Sequence, residues 1–357
     1  MQKKIIALAI ASALTAPAAF ADTSNVTVYG VLNADFENVK SSNVGAGASN
    51  SLNRVSSNAT RLGVKGTESL GDGLNAIWQL EIQADLNGNA NNGFGNGTRN
   101  SNIGLKGKFG TAFLGIWDTP FKVSHNKIEL FDNTTFASAT NVLGRTSGAG
   151  VSFNNRLKNS VQYWTPEMSG FQAKVAYGTD NAKTTTVNQS VASLSATYEN
   201  DMFYAAYAYE TFKDATLNTN AATAGNKSNG NRLVGAYKFD QGLVGLTYDR
   251  LDGTTAGVSS SRNAWELAGK YSFGASNIGA SYVKAGNLSG VANPSGAKQL
   301  SLRYGYSFSK RTEMYGIYSS LKNDAAANYN LSAGTAIANS AAGASLSGFG
   351  VGMVHSF

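Results

Sequence analysis

Short and long connections alternate along this chain, and that alternation limits its fold more than any other feature. Sixteen segments have the alternating apolar and polar pattern of β-strands, and they are joined by seven short turns and eight long loops. Gly71-Asp72-Gly73 is one of the short turns, whereas residues 40–59 and 252–262 are predicted as long loops. Because short glycine-containing links favour hairpins, we predict an even-stranded, up-and-down antiparallel sheet with both ends on the short-turn side.

The predicted strands separate apolar from polar side chains by parity. Residues 263–273, for example, place Trp265 and Leu267 on one face and Glu266 and Lys270 on the other. No second sheet or helical layer is available to cover so many apolar faces, so lipid is the expected covering phase. We therefore predict an all-β fold, a 16-stranded antiparallel transmembrane β-barrel with a polar lumen. A soluble β-sandwich or β-solenoid is the alternative.

The N-terminus has the pattern of a secretory signal peptide. Lys3 and Lys4 precede a mostly apolar stretch, and Ala19-Phe20-Ala21 is a small-residue cleavage pattern. We predict that residues 1–21 are a cleaved signal peptide and that residues 22–357 form the barrel domain. An uncleaved N-terminal membrane anchor is the alternative.

Composition after residue 21 excludes several classes of protein. This part of the chain holds 27 basic and 22 acidic residues, and it has no cysteine. The positive excess is spread out rather than concentrated in basic runs, which argues against a nucleic-acid partner. No run of 18 apolar residues follows residue 21, which argues against a helical membrane protein. With no cysteine, histidine pair or carboxylate cluster at metal spacing, we predict no metal and no cofactor.

An enzyme is the rival class, because some outer-membrane barrels are lipases or proteases. Such catalysis usually needs a histidine beside a serine or aspartate. The chain has two histidines: His125 follows Ser124 and lies near Glu129 and Asp132, and His355 lies in the last strand. Adjacent loop residues rarely align as nucleophile and base, so we predict no catalytic residue.

Six ordered stretches cover the chain after residue 21 and carry a family resemblance. They are "VTVYGVLNADF", "SNATRLGVKGTESLGDGLNAIWQLE", "RNSNIGLKGKFGTAFLGIWDTP", "RLKNSVQYWTPEMSGF", "SFSKRTEMYGIYS" and the C-terminal strand. Through them the chain resembles the Gram-negative general porins, especially the basic, anion-preferring branch. The resemblance implies a homotrimer of 16-stranded barrels in the outer membrane, each with a water-filled channel for passive diffusion of ions and small solutes. It also implies that the third long loop, residues 119–155, folds into the lumen, where a channel of this strand number leaves open space.

The resemblance also implies partners. These are the outer-membrane lipid and lipopolysaccharide around the barrel, the barrel-assembly machinery, and the small ions and solutes that pass through. A substrate-specific outer-membrane channel and a surface adhesin are the alternatives, although the loops show no aromatic slide or repeated binding motif.

Charged side chains at the narrowest point would set the selectivity of such a channel. Arg61 and Lys65 lie on one parity of a predicted strand, and Arg156 and Lys158 lie on one parity of another, opposite Leu157. We therefore expect all four cations to point into the lumen and Leu157 to face lipid. By resemblance, Arg61 and Arg156 match the basic side of the constriction.

Arg99 also matches the basic side by resemblance, but its parity conflicts with that role. It shares the parity of Ile103 and Leu105, which should face lipid. Arg99 is therefore expected in the lumen only if it lies in a bulge or beyond the sheet. Ile116 occupies a position where many relatives carry an arginine, which weakens the expected positive field.

The third long loop is poor in acidic residues. Its acids are Glu129 and Asp132, and its cations are Lys122, Lys127 and Arg145. We therefore predict a net positive constriction and an anion-selective channel. The selectivity should be mild, because salt screens charges in a wide pore over about 8 Å.

The last eleven residues, "SGFGVGMVHSF", form an apolar strand that runs to the end of the chain. Phe349, Val351, Met353 and Phe357 share one parity, which should face lipid. We predict that this strand pairs with the first and closes the barrel. The terminal Phe357 resembles the C-terminal signal by which the assembly machinery recognises outer-membrane barrels.

Overall fold

The computed structural model describes residues 25–44, 49–87, 94–131, 135–147, 152–179, 183–215, 222–255, 257–332 and 340–357. The described residues contain eighteen strand segments in one antiparallel sheet. The segments are β1 (Asn25–Ser41), β2 (Ser51–Ser57), β3 (Arg61–Gly71), β4 (Leu74–Ala84), β5 (Phe94–Thr98), β6 (Ser101–Gly107), β7 (Gly110–Asp118), β8 (Arg156–Trp164), β9 (Phe171–Thr179), β10 (Ser190–Glu199), β11 (Phe203–Ala215), β12 (Ala222–Phe239), β13 (Gly242–Thr255), β14 (Val258–Phe273), β15 (Ser276–Ala285), β16 (Ala297–Ser307), β17 (Thr312–Asn323) and β18 (Ser345–Ser356).

The eighteen segments make sixteen barrel strands, because two of the strands are interrupted. β2 and β3 both pair with β1, on either side of residues 58–60, where Ala59 has a φ of 54°. β5 and β6 both pair with β4, on either side of Arg99 and Asn100. The predicted 16-stranded antiparallel barrel is confirmed.

The first and last strands close the barrel. β1 and β18 pair in one register from Val31–Ser356 to Ser41–Leu346. Beyond that register, Gly30 and Phe357 exchange two backbone hydrogen bonds of 3.0 and 3.1 Å. The Phe357 ring covers Gly30 so closely that a Cβ there would lie 2.3 Å from the ring. The predicted closure is confirmed, and the terminal residue takes part in it.

Side chains alternate between the two faces of the wall as the parity predicted. In β14, Trp265 and Leu267 are exposed on the outer surface, whereas the alternating residues Glu266 and Ala268 are buried on the inner side. On the outer surface, the bilayer would cover this apolar band. None of the described helices is long and apolar enough to span a membrane.

Two of the predicted long loops are largely strand. β13 ends at Thr255 and β14 begins at Val258, so most of the predicted loop 252–262 is a paired hairpin. β2 pairs with β1 inside the predicted loop 40–59. The prediction was wrong there because these extensions are rich in Ser, Asn and Gly. Backbone pairing holds such segments without an alternating apolar face.

Residues 119–155, between β7 and β8, fold into the lumen and are called loop 3 below. Loop 3 begins with helix α1 (Pro120–His125), where the Thr119 hydroxyl caps the amide of Lys122 at 3.1 Å. A 3₁₀ helix (Ala139–Asn141) follows. The predicted insertion of the third long loop is confirmed.

Loop 3 carries its own apolar side chains, and the inner wall beneath it is apolar as well. Its buried residues form one apolar cluster with the inward faces of β14 to β18. The cluster includes Phe131, Phe136 and Leu143 of loop 3 and Val283, Ile317 and Leu321 of the wall. The Phe136 ring lies against Gly348 and Gly350, where a Cβ would come within 2.7 and 3.0 Å of it. On this side of the barrel the inner wall is therefore apolar, in contrast to the polar lumen that we expected from side-chain alternation.

Candidate functional site

Two buried arginines hold loop 3 against β12 to β14. Arg232 forms a bidentate ion pair with Asp249, at 2.7 and 2.8 Å, and donates to the Phe121 carbonyl at 3.4 Å. Arg262 donates to the Val142 carbonyl at 3.1 Å. Because unpaired buried guanidinium groups are costly, these bonds specify where the loop lies.

His125 adds a third attachment. Its Nε2 lies 2.5 Å from a carboxylate oxygen of Glu266, and Glu266 also accepts a hydrogen bond from Ser281 at 2.7 Å. The Ser124 hydroxyl donates to the Phe121 carbonyl at 2.7 Å. Both side chains therefore help to attach the loop, and they are not aligned as nucleophile and base.

With loop 3 held on that side, an open cavity of about 570 Å³ remains between the loop and the wall of β1 to β8. Seven charged side chains line this cavity. They are Arg61, Glu81, Arg99, Asp118, Lys122, Glu129 and Arg156.

Glu81 organises two of the predicted arginines. Its carboxylate accepts from Arg99 Nε at 2.8 Å and from the Tyr29 hydroxyl at 3.0 Å, and it lies 3.5 Å from Arg61 Nε. Arg99 reaches this position because it lies in the break between β5 and β6, where its amide donates to the Glu81 carbonyl at 2.8 Å. The interrupted strand resolves the conflict between its parity and its lumenal position.

Asp118 organises the other half of the cluster. It lies 2.9 Å from the Lys122 ammonium and 3.3 Å from Arg156 Nε. Asn100 bridges the group, because its amide donates to Asp118 at 3.1 Å and its oxygen accepts from Arg156 at 2.7 Å. Wall and loop 3 therefore share one network.

The cationic ends of these pairs face the water more than the carboxylates do. The side chain of Arg61 is 31% exposed and that of its partner Glu81 is 7% exposed. Arg156 is 21% exposed against 14% for Asp118. Four cations face two carboxylates, so the cavity surface carries an excess of two positive charges when Glu129 is neutral. A small anion would find several N–H donors directed at it.

Lys65 and Lys158 lie outside this cluster. The Lys65 ammonium lies 5.2 Å from the centre of the Tyr29 ring and lines a neighbouring cavity. Lys158 lines a different cavity together with Leu157. Asn159, with a φ of 47°, adds a bulge that shifts the register of β8, so Leu157 is buried on the inner side. The prediction that Leu157 faces lipid was wrong, because parity cannot be carried across a bulge.

Of the two acids predicted in loop 3, Glu129 lies within the described residues. Glu129 is buried, and it accepts from the Phe131 amide at 2.9 Å and the Ser138 hydroxyl at 3.1 Å. Burial raises the pKa of Glu129 to about 7, while burial lowers the pKa of Lys122 despite its partner Asp118. Asp132 lies outside the described residues.

The sequence reasoning missed Glu81 and Asp118, the two carboxylates that position the arginines. A signal existed for Glu81, because it alternates with the outward residues Leu80 and Ile82 and so had to face the lumen. Asp118 ends β7, where parity stops being informative.

Comparisons with known proteins agree with this architecture. A family model described as Gram-negative porin matches residues 7–326. The chain is 30% identical over 326 residues to the major outer membrane protein P.IB of Neisseria lactamica, covering 87% of this chain and 91% of the relative. It is 28% identical over 372 residues to outer membrane porin protein 32 of Delftia acidovorans, covering all of both chains. The solved anion-selective porin from Comamonas acidovorans superposes with a TM-score of 0.79 at 25% identity, covering 94% of this chain and 100% of that one. The chain therefore belongs to the Gram-negative porins and is a channel-forming β-barrel of the outer membrane.

Proposed function

We propose that this porin is a general diffusion channel that passes small anions more readily than cations, through the passage between loop 3 and β1 to β8. The observation that carries the proposal is the set of water-facing cations, Arg61, Arg99, Lys122 and Arg156, with their carboxylate partners set behind them. Its similarity to a porin described as anion-selective agrees with this assignment.

The expected preference is mild for two physical reasons. Each arginine is already paired with a carboxylate, which cancels much of its field beyond the contact distance. Salt screens what remains over about 8 to 10 Å, so ions that pass along the opposite side of the lumen feel little of it. The passage of small neutral solutes should depend on their size.

The zero-current potential across a planar bilayer with a potassium chloride gradient tests this proposal. We expect a sign that indicates chloride preference, and we expect Arg99→Gln and Arg156→Gln each to reduce it. Arg250→Gln is a matched control, because Arg250 lies on β13 and pairs with Asn263 at 3.0 Å, away from the cavity. A cation preference of the unmodified channel would refute the proposal.

We further propose that the barrels assemble as homotrimers, with lipopolysaccharide around them and with the barrel-assembly machinery as the partner during insertion. Membership of the porin family supports these partners. Conductance that closes in three equal steps, together with a trimer mass for the detergent-extracted protein, is the expected result. A monomer mass with single closures would contradict the trimer.

We also propose that the chain has no catalytic role. The engagement of His125 with Glu266 and of Ser124 with a backbone carbonyl supports this proposal. Hydrolysis of an ester or peptide substrate that is lost in His125→Gln would contradict it.

A further inference from the structure

An aromatic surface lies on the lumenal wall beside the constriction. Phe113, Trp117 and Trp164 form a mutual edge-to-face cluster, with ring centres 5.1 to 5.9 Å apart. Outward-facing neighbours of these residues, Leu114 and Tyr163, are exposed on the lipid side, so the cluster itself faces inward. Aromatic rings on the inner wall of a water-filled channel gain nothing from lipid contact.

The two tryptophans present this surface to the lumen. Phe113 is buried beneath them, while Trp117 and Trp164 remain half-buried. They line a cavity of about 250 Å³ that also contains Lys65, Gln79 and Asn102. A cavity of this size is smaller than a typical drug-sized pocket and suits a solute with one ring.

Two ammonium groups flank the aromatic surface. Lys65 lies at one side of the cavity, and the Lys174 ammonium lies 4.6 Å from the centre of the Trp164 ring. Within the described residues, neither lysine forms a salt bridge with a carboxylate. An aromatic face bordered by ammonium groups is complementary to a solute that is apolar on its ring and negative at one end.

The cavity adjoins the arginine cluster along the chain. Trp117 directly precedes Asp118, and Asn102 lies two residues beyond Asn100. Arg61 and Lys65 lie on the same inward parity of β3, with Gly63 at the inward position between them. A solute that leaves the arginines toward the short-turn side therefore reaches this wall next.

We propose that this wall is a binding subsite for small aromatic carboxylates of the benzoate class. The ring packs against Trp117 and Trp164, and the carboxylate accepts hydrogen bonds from Lys65 and Asn102. The subsite rests on the proposed anion passage, because the solute must pass the arginines first. It turns a general channel into one that retains aromatic acids longer than other anions of similar size.

Block of single-channel potassium chloride current tests the subsite. We expect benzoate to reduce the current in a saturable manner and acetate to leave it unchanged at the same concentrations. Trp117→Ala and Trp164→Ala should each weaken the apparent benzoate affinity roughly three- to tenfold, the range typical of one aromatic pair. Trp265→Ala is the matched control, because Trp265 lies on the lipid face and should leave the affinity unchanged.

The charge partner has its own test. Lys65→Gln should weaken benzoate block, whereas Lys270→Gln, on the inward parity of β14 and outside this cavity, should not. Equal effects of benzoate and acetate on a channel that still prefers chloride would overturn the subsite and leave the proposed function standing. Equal block by glucose would overturn it as well, since that result indicates a carbohydrate site. A cation-selective channel that benzoate still blocks through the tryptophans would refute the proposed function alone.

Discussion

At the constriction, the charge that an ion meets depends on which atom of each ion pair faces the water. Glu81 and Asp118 offset two of the four positive charges, and the guanidinium groups of Arg61 and Arg156 are more exposed than either carboxylate. A dipole with its positive end toward the lumen attracts a nearby anion even when the pair is neutral as a whole. The side-chain orientation therefore contributes to selectivity beyond the simple count of charges.

Glu129 makes this charge dependent on pH. Burial raises its pKa from 4.5 to about 7, so Glu129 is neutral in acid and negative in base. We expect the chloride preference to be greater below neutral pH and to fall as the pH rises through about 7. The same shift means that Glu129 favours the fold most below its ordinary pKa, and that this contribution is lost as the pH rises through about 7. Zero-current potentials on either side of neutrality measure the effect on selectivity.

The variant Glu129→Gln separates this effect from other titrating groups. Its selectivity should stay at the acidic, more anion-preferring value across the range. His125 Nδ1 lies 3.9 Å from the Glu129 carboxylate, and Glu266 contacts the other ring nitrogen, so both groups border Glu129 and stay unchanged in this variant. A pH response that persists in Glu129→Gln would contradict the assignment of the effect to Glu129.

At the scale of elements, loop 3 and the β14–β18 wall form one packed unit. The loop does not hang freely in water, because Phe136 and its neighbours bury apolar surface against an inner wall that is itself apolar. The glycines at 348 and 350 leave room for the Phe136 ring. The strand that closes the barrel thus also seats the loop that narrows it.

Phe136→Ala should weaken the packing of loop 3 against this wall. Removing a buried phenylalanine costs about 3 to 5 kcal/mol, which is enough to loosen a loop held by local contacts. We expect a larger and noisier single-channel conductance with weaker ion selectivity. Phe349→Ala is the matched control. Phe349 lies on the outer face of β18, the strand whose Gly348 and Gly350 contact Phe136, so its removal should leave conductance unchanged. Unaltered conductance in both variants would show that loop 3 does not depend on Phe136.

At the scale of the whole molecule, Phe357 takes part in the strand pairing that closes the barrel. Phe357 pairs with Gly30 through both backbone groups, and its ring covers that glycine. Deletion of Phe357 removes these contacts and the predicted assembly signal together. We expect much less folded barrel in the outer membrane, with normal conductance for the few pores that insert.

Phe357→Tyr keeps the ring and the backbone pairing, so it should assemble nearly as well as the unmodified chain. The amount of heat-resistant, folded porin in purified outer membranes is the measurement for both variants. Normal amounts of folded porin after the deletion would show that Phe357 is not needed as an assembly signal.

Several features were predictable because they depend on local periodicity. Parity along β14 placed Trp265 outside and Glu266 inside, and the alternation of turns led to the strand number. Parity failed wherever the backbone left the regular pleat. The bulge at Asn159 turned Leu157 inward, and the break beside Arg99 moved that residue into the lumen.

The sequence by itself determined an even-stranded barrel with a lipid-facing band, a closing terminal strand and a positive excess near the third loop. These properties follow from side-chain alternation, which repeats every two residues and needs no knowledge of distant contacts. The tertiary structure alone decided which cations meet, that Glu81 and Asp118 stand behind them, and that Phe113, Trp117 and Trp164 gather on one wall. Those groupings join residues that are far apart in the chain, and only strand register and the seating of loop 3 bring them together.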